Sequence, residues 1–112
     1  MASTKTVAIV VTTTVAERLE AEKLANAILD AKLAACVQIS GPIESHYCWN
    51  GRREIATEWS CSIKTRRDFF APLEKLLQEI HPYDVPEILA TAATEISKPY
   101  QSWLNEQLTG QK

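Results

Sequence analysis

The feature that most constrains this chain is a pair of long alternating segments on either side of Asn50-Gly51. In residues 37–49 the odd positions are Val37, Ile39, Gly41, Ile43, Ser45, Tyr47 and Trp49; the even ones are Gln38, Ser40, Pro42, Glu44, His46 and Cys48. In residues 53–65, Ile55, Trp59, Cys61 and Ile63 alternate with Glu54, Glu58, Ser60, Ser62 and Lys64. Period two is the spacing of side chains along a strand, so each segment is a strand with one face to bury. Asn-Gly between them is a hairpin turn signal.

The face pattern bears on the turn. A two-residue Asn50-Gly51 loop pairs Trp49 with Arg52 and therefore Ile43 with Glu58, mixing apolar and charged side chains on one face. A three-residue loop, Trp49-Asn50-Gly51, pairs Cys48 with Arg52, Glu54 with His46, Ile43 with Thr57, Ile39 with Cys61 and Val37 with Ile63. It is the preferred expectation. A bulge near Gly41-Pro42 restores the agreement in another way.

The rest of the chain supplies two helices and two more strands. Residues 6–13 (TVAIVVTT) are a short β-branched run suited to a strand buried on both faces. Thr14 to Glu17 has capping-box spacing, and Leu19, Leu24, Ile28 and Ala31 then recur on a helical stripe, predicting a helix that ends near Ala34. Thr65 to Asp68 repeats the capping signal before Phe69, Leu73, Leu76, Leu77 and Ile80, and His81-Pro82 ends that helix. Residues 87–94 read as a fourth strand. A last helix starts at Ser97, with Pro99 in its first turn, and carries Tyr100, Trp103, Leu104 and Leu108. The order β-α-β-β-α-β plus a short helix is the ferredoxin-like α+β arrangement, with helices on one side of an antiparallel sheet. One domain covers residues 1–112, with residues 1–5 and 109–112 expected to be flexible ends.

The arms outgrow such a body. Thirteen extended residues at ~3.3 Å each reach roughly 40 Å, whereas a domain of this length has a radius of gyration near ~13 Å. The overhang carries Ile43, Tyr47, Trp49 and Ile55, and an isolated apolar hairpin in water invites pairing. A closed ring of identical chains, each covering a neighbour's arm, is the simplest remedy.

Composition removes other classes. Twelve Lys+Arg against fourteen Asp+Glu leave a net charge of −2, which makes no phosphate-binding surface and argues against nucleic acid as a partner. The longest apolar runs, such as residues 7–11, fall far short of the roughly 20 residues of a membrane span, and a cytoplasmic chain with no membrane partner is expected. Three cysteines (Cys36, Cys48, Cys61) without a C-x-x-C pair make a disulfide framework or zinc ribbon an unsuitable reading. Three scattered glycines cannot form a phosphate cradle. No nucleophile–base motif, H-E-x-x-H or paired-carboxylate signature is present, so no enzyme is expected.

Several motifs together resemble the CutA family of divalent-cation tolerance proteins. They are Leu33-Ala34-Ala35-Cys36 after the first helix, Tyr47-Cys48-Trp49-Asn50-Gly51 at the hairpin, and Glu58 through Lys64-Thr65 on the third strand. His81-Pro82-Tyr83-Asp84-Val85-Pro86-Glu87, the most specific piece, and Tyr100-Gln101-Ser102-Trp103-Leu104 complete them. The resemblance implies a ferredoxin-like homotrimer similar in architecture to the PII signalling proteins. It also implies a role in tolerance to copper and other divalent metals. Some members carry a second cysteine at the end of the first strand, where this chain has Thr12-Thr13-Thr14, so one soft ligand is missing.

The candidate donors for copper or a similar divalent metal are Cys36, His81 and Glu87. A cysteine after a helix is ordinarily a small buried hydrophobe, but as a thiolate it suits a soft ion such as Cu(I). His81 stands at a helix C-terminus, where the dipole favours an imidazolium bonded to a carbonyl; as neutral imidazole it is a Cu(II) or Zn(II) ligand. Glu87 is an oxygen donor across the Pro-bounded loop, or the acceptor that orients His81. Cys48 and His46, two residues apart on one strand face, are a weaker pair. Glu58 and Lys64 share the polar face of the third strand and are expected to line an inter-subunit cleft. Trp49, Trp59, Trp103 and Tyr83 are read as packing and interface anchors. The alternative function is a PII-like signalling or scaffold trimer binding a small metabolite or protein partner, with only an indirect metal role.

Overall fold

The computed structural model describes residues 7–109. The expected flexible ends lie outside these residues, except Thr109, which closes the last helix. The elements are β1 (Ala8–Val15), α1 (Arg18–Asp30), β2 (Cys36–Trp49), β3 (Arg52–Arg66), a 3₁₀ turn (Arg67–Phe69), α2 (Phe70–Ile80), β4 (Leu89–Ala92) and α3 (Lys98–Thr109). The four strands form one sheet in the order β2-β3-β1-β4, antiparallel at every neighbour. This is the expected ferredoxin-like α+β fold.

Alternation along the two central strands sets the core. Ile9, Val11 and Val15 of β1 and Cys61 and Ile63 of β3 face α1 and α2, where they meet Ala21, Leu24, Ile28, Leu73 and Leu77. The alternate residues of these strands, among them Thr12, Thr14, Glu58, Ser60, Ser62 and Lys64, face the other way. α3 lies on that opposite face near the Ala8 end, where Leu104 and Tyr100 stand with Val10 and Lys64.

The helix boundaries differ from the capping expectations, and the cause is the length of the strands. β1 runs on through Thr14 because Val15 is wholly buried in the core. The helix therefore starts after Glu17, whose backbone N–H donates to Glu20 Oε1 at 3.2 Å. It stops at Asp30 rather than near Ala34, because Lys32 takes a left-handed conformation (φ 56°). Lys32 N–H then donates to Leu29 O at 3.0 Å and Leu33 N–H to Ile28 O at 3.2 Å, a Schellman closure. Leu19 and Ala31, expected on the buried stripe, are exposed, and Ala21 takes the inward position instead. β3 likewise extends to Arg66, so Thr65 is a buried strand residue whose hydroxyl donates to Leu33 O at 2.8 Å, not a cap. β4 is the short segment 89–92 within the expected 87–94.

The hairpin combines the two devices that the pattern set as alternatives. Its loop has two residues, with Asn50 at φ 53° and Gly51 at φ 76°, the type I′ signature whose twist matches the strands. Trp49 pairs with Arg52, Ile43 with Glu58, and His46 with Ile55 rather than Glu54. Between Ser40 and Ile43 a bulge sets Gly41 and Pro42 against Trp59, and the pairs Ile39↔Cys61 and Val37↔Ile63 follow as expected. The expected three-residue loop is thus corrected in the outer half of the hairpin and right in its result for the inner half. The bulge also reverses which residues face where. Beyond it, Ile43, Ser45, Tyr47 and Trp49 join Glu58 on the helix-free face, because directly opposed residues point to one side.

Gly41 makes this bulge possible. Its φ is +151°, the Gly41-Pro42 peptide is cis, and a Cβ added at Gly41 would sit 2.8 Å from Trp59 Cε3. Trp59 cannot retreat easily, since the Arg18 guanidinium lies 5.7 Å over its ring and its other flank packs on the core. Gly41→Ala is expected to lower stability by about 1–2 kcal/mol, read as a drop in the denaturant midpoint at unchanged slope.

β3 pairs with β1 only from Trp59 to Arg66; from Arg52 to Glu58 its sole partner is β2. This stretch projects from the body and gives a molecule of 47 × 27 × 22 Å. Ile43, Tyr47, Trp49 and Ile55 are 38 %, 43 %, 47 % and 63 % exposed. At the far edge of the sheet β4 is exposed throughout, with one side unpaired.

Candidate functional site

The chemically richest place lies where the hairpin leaves the body. β3 brings Glu58 to the helix-free face just past the end of β1, and the bulge brings Ser45 to the same face. The loop after α2 passes beside β1 and carries Tyr83, whose hydroxyl donates to Glu58 Oε2 at 2.6 Å. Glu58 is only 7 % exposed. Burial alone would raise its pKa, but hydrogen bonds from Tyr83, Ser45 and Thr14 outweigh burial and hold the carboxyl below its ordinary range. Glu58 is therefore an ionised carboxylate that accepts from the Tyr83 hydroxyl, with the Ser45 and Thr14 hydroxyls facing it. The same partnership, together with burial, pushes the Tyr83 phenol well above its usual range, so it remains a donor.

His81 supports this loop from below. Its ring stands 5.0 Å from that of Tyr83. Nε2 donates to the Thr14 carbonyl at 3.0 Å, and Nδ1 accepts the Tyr83 backbone N–H at 3.1 Å. One neutral tautomer satisfies both bonds. Adding a second ring proton would set two donors against each other at Nδ1. Burial lowers the His81 pKa, against the opposing pull of the Thr14 carbonyl and of Glu20 and Glu58. The dipole at the end of α2 thus does not hold an imidazolium here.

A depressed folded pKa means that neutral His81 contributes stability above the unfolded value of 6.5. That contribution is lost as pH falls from there through the folded value. The melting temperature is expected to be flat from pH 7 to 8 and to decline below about pH 6.5. In His81→Gln the decline in that window shrinks.

The expected donors do not converge. Cys36 opens β2 opposite Lys64, which in turn pairs with Val10; His81 is bonded at Thr14. Four residues of β1 separate those two levels, about 13 Å of strand. Glu87 accepts the Thr12 hydroxyl at 2.9 Å on the rim of the loop. Among the described residues no three His, Cys, Asp or Glu side chains form a group able to hold a metal ion. Cys48 is exposed, and the nearby His46 Nε2 is bonded to Glu44 Oε2 at 2.7 Å. Lys64 donates to Gln38 Oε1 near Cys36, away from Glu58, and Trp103 stacks beside Tyr100 on α3.

The structure instead gathers Glu58, Tyr83, Glu87 and Trp49 around one cleft of ≈ 590 Å³, with Thr14, Ser45, His46, Tyr47, Asp84 and Val85. Glu58, Tyr83, Glu87 and Trp49 were legible in the sequence. Thr14 and Ser45 were not, because Ser45 reaches this face only through the bulge, and Thr14 read as a helix cap.

Comparison with known proteins agrees with this architecture. The family model for "CutA1 divalent ion tolerance protein" matches residues 9–107. The chain is 46 % identical over 103 residues to the Arabidopsis thaliana chloroplastic protein CutA, covering 91 % of this chain and 57 % of that protein, so it spans little more than half of that relative's length. It is 39 % identical to the divalent-cation tolerance protein CutA of Archaeoglobus fulgidus, over 78 % of this chain and 84 % of that one. The crystal structure of CutA1 from Oryza sativa superposes with a TM-score of 0.88 at 37 % identity, covering 94 % of this chain and 96 % of that one. With its sheet, its hairpin and nearly all of its length accounted for by one family, this chain belongs to the CutA divalent-cation tolerance proteins.

Proposed function

We propose that the chain works as a homotrimer in the cytoplasm, each projecting hairpin sheltered by sister copies, and that its part in divalent-cation tolerance is binding at the clefts so formed, without catalysis. The observation that carries this reading is the overhang: seven β2–β3 residue pairs beyond the sheet body, with Ile43, Tyr47 and Trp49 exposed on the helix-free face and Ile55 on the other, accompanied by a β4 edge with no strand partner among the described residues. Apolar strand surface of this kind is ordinarily covered by another chain. Copper or a similar ion would take its donors from more than one subunit, since Cys36 stands far from His81 and Glu87 within one.

Calorimetry with Cu²⁺ and Zn²⁺ on the wild type, Cys36→Ser, His81→Ala and Glu87→Gln tests the metal part. The expected result is saturable binding that Cys36→Ser or His81→Ala weakens. Identical titrations in all four proteins would remove these residues as ligands.

A second reading, a PII-like trimer that carries a small molecule, is favoured by the cleft itself. Its best-buried acid already accepts from the Tyr83 hydroxyl, and its walls are partly aromatic. A metal effect would then be indirect.

A further inference from the structure

The hairpin turn sets the outer register, Trp49↔Arg52 and Cys48↔Arg53, with the one dipeptide of the chain prone to lose a side-chain amide. Asparagine is thermolabile because the next backbone nitrogen can close on its side-chain carbonyl. A following glycine has no Cβ to crowd that ring. Asn50 and Gly51 are both exposed, and a Cβ added at Gly51 would meet nothing within 4 Å. In a type I′ turn the cross-turn bond joins the flanking residues, which leaves the Gly51 N–H outside the ladder. Arg52 and Arg53 follow directly, and their charges favour loss of the amide proton and the anion formed on attack.

The other two asparagines lack these conditions. Asn26 stands inside α1 before Ala27, and Asn105 inside α3 before Glu106. In a helix the following amide is bonded to a carbonyl one turn back, and its residue carries a Cβ. Assembly does not remove the difference. A sister copy that covers the Tyr47 and Trp49 faces has no apolar side chain to cover at Asn50 or Gly51, so the turn itself stays in water.

We propose that Asn50 is a site of spontaneous covalent modification, at which the turn becomes an isoaspartyl link and the hairpin tip loses its register. Gly51 N gives its proton to hydroxide and bonds to Asn50 Cγ; the Cγ–Nδ2 bond breaks, and the nitrogen takes a proton from water and leaves as ammonia. Water then opens the succinimide. Attack at the Asn50 backbone carbonyl carbon leaves the chain running through Cβ and Cγ, an isoaspartate; attack at Cγ leaves an ordinary aspartate. Both products add a negative charge to a chain whose net charge is −2. Only isoaspartate adds a carbon to the main chain, and a two-residue turn has no room for it.

Peptide mapping by mass spectrometry of the full-length protein, held in mildly alkaline buffer, follows all three asparagines at once. Asn50 is expected to convert with first-order kinetics that quicken with pH, about tenfold slower than in the same chain unfolded in urea. Asn26 and Asn105 are expected to keep their amides. Amide hydrogen exchange in the aged protein is expected to speed several-fold at Cys48, Trp49, Arg52 and Arg53 and to stay unchanged at Ile39 and Cys61, inside the bulge. Asn50→Gly keeps a pair of residues suited to the turn and is expected to show neither change. An Asn50 that keeps its amide as long as Asn26 and Asn105 do, while the unfolded chain converts, overturns the site. Isoaspartate with unaltered exchange at the tip overturns the loss of register.

Discussion

Glu58→Ala is expected to lower the unfolding free energy by about 2–4 kcal/mol, because it leaves the buried Tyr83 hydroxyl without its acceptor and takes away the charge that the Ser45 and Thr14 hydroxyls face. Hydrogen bonds to an ionised acceptor are the strong ones, and the hydroxyls around this one come from three separate elements. Tyr83 belongs to the loop after α2, Thr14 to β1 and Ser45 to β2. Glu58 therefore fastens the root of the hairpin to the body at the point where β1 ceases to support β3. Glu58→Gln keeps an acceptor oxygen and is expected to fall between alanine and wild type. Tyr83→Phe removes one donor and is expected to cost about 1–2 kcal/mol. Chemical unfolding followed by circular dichroism measures all three. A Glu58→Ala protein within about 0.5 kcal/mol of wild type, the range of an ordinary surface change, contradicts this role.

The sign of the acid dependence follows from the same carboxylate. Its folded pKa lies below the ordinary 4.5, so the stability it lends is complete above that value and is lost as pH falls through the lower folded one. Acid weakening is thus expected in two stages, first with His81 below about pH 6.5 and then with Glu58 below about 4.5.

The second large effect concerns assembly. Tyr47→Lys with Ile55→Lys is expected to leave the fold of one chain intact and to prevent it from associating at micromolar concentration. Both side chains are exposed in the single chain, Tyr47 at 43 % and Ile55 at 63 %, so charges there meet water. Covered by a sister copy, the same charges would displace apolar contact and lose their hydration. About 4 kcal/mol of lost association free energy corresponds to about a thousandfold in the association constant. Unchanged far-ultraviolet dichroism with a lowered sedimentation coefficient is the expected pair of readings. An unaltered coefficient shows that the tip lies outside the interface.

The elements and their order were legible because two periodicities dominate the chain: 3.6 in residues 19–31 and 69–80, and 2 in the arms. The hairpin register was harder, since two local irregularities cancel. The tight type I′ turn shifts the pairing by one, and the Gly41-Pro42 bulge shifts it back, so the inner pairs looked the same under either loop. The left-handed conformations of Asn50 and Gly51 and the pairs of the outer hairpin separate the two. Helix starts were misplaced for a related reason. Thr14 and Thr65 carry capping hydroxyls, but each is a strand residue with its hydroxyl engaged elsewhere, at Glu58 and at Leu33 O.

For the site, Glu58, Tyr83 and Glu87 stood out as polar residues in apolar or proline-bounded settings, and the structure brings all three to one cleft. The distance between Cys36 and His81 was not legible. It depends on where each element meets β1 along its length, and nothing local to either residue encodes that depth.

Sedimentation velocity at micromolar concentration tests most directly whether the projecting hairpin needs sister copies. The expected result is one species of about three times the 12.5 kDa chain mass, with no folded species at the mass of one chain. A compact, cooperatively folded particle of 12.5 kDa would contradict it.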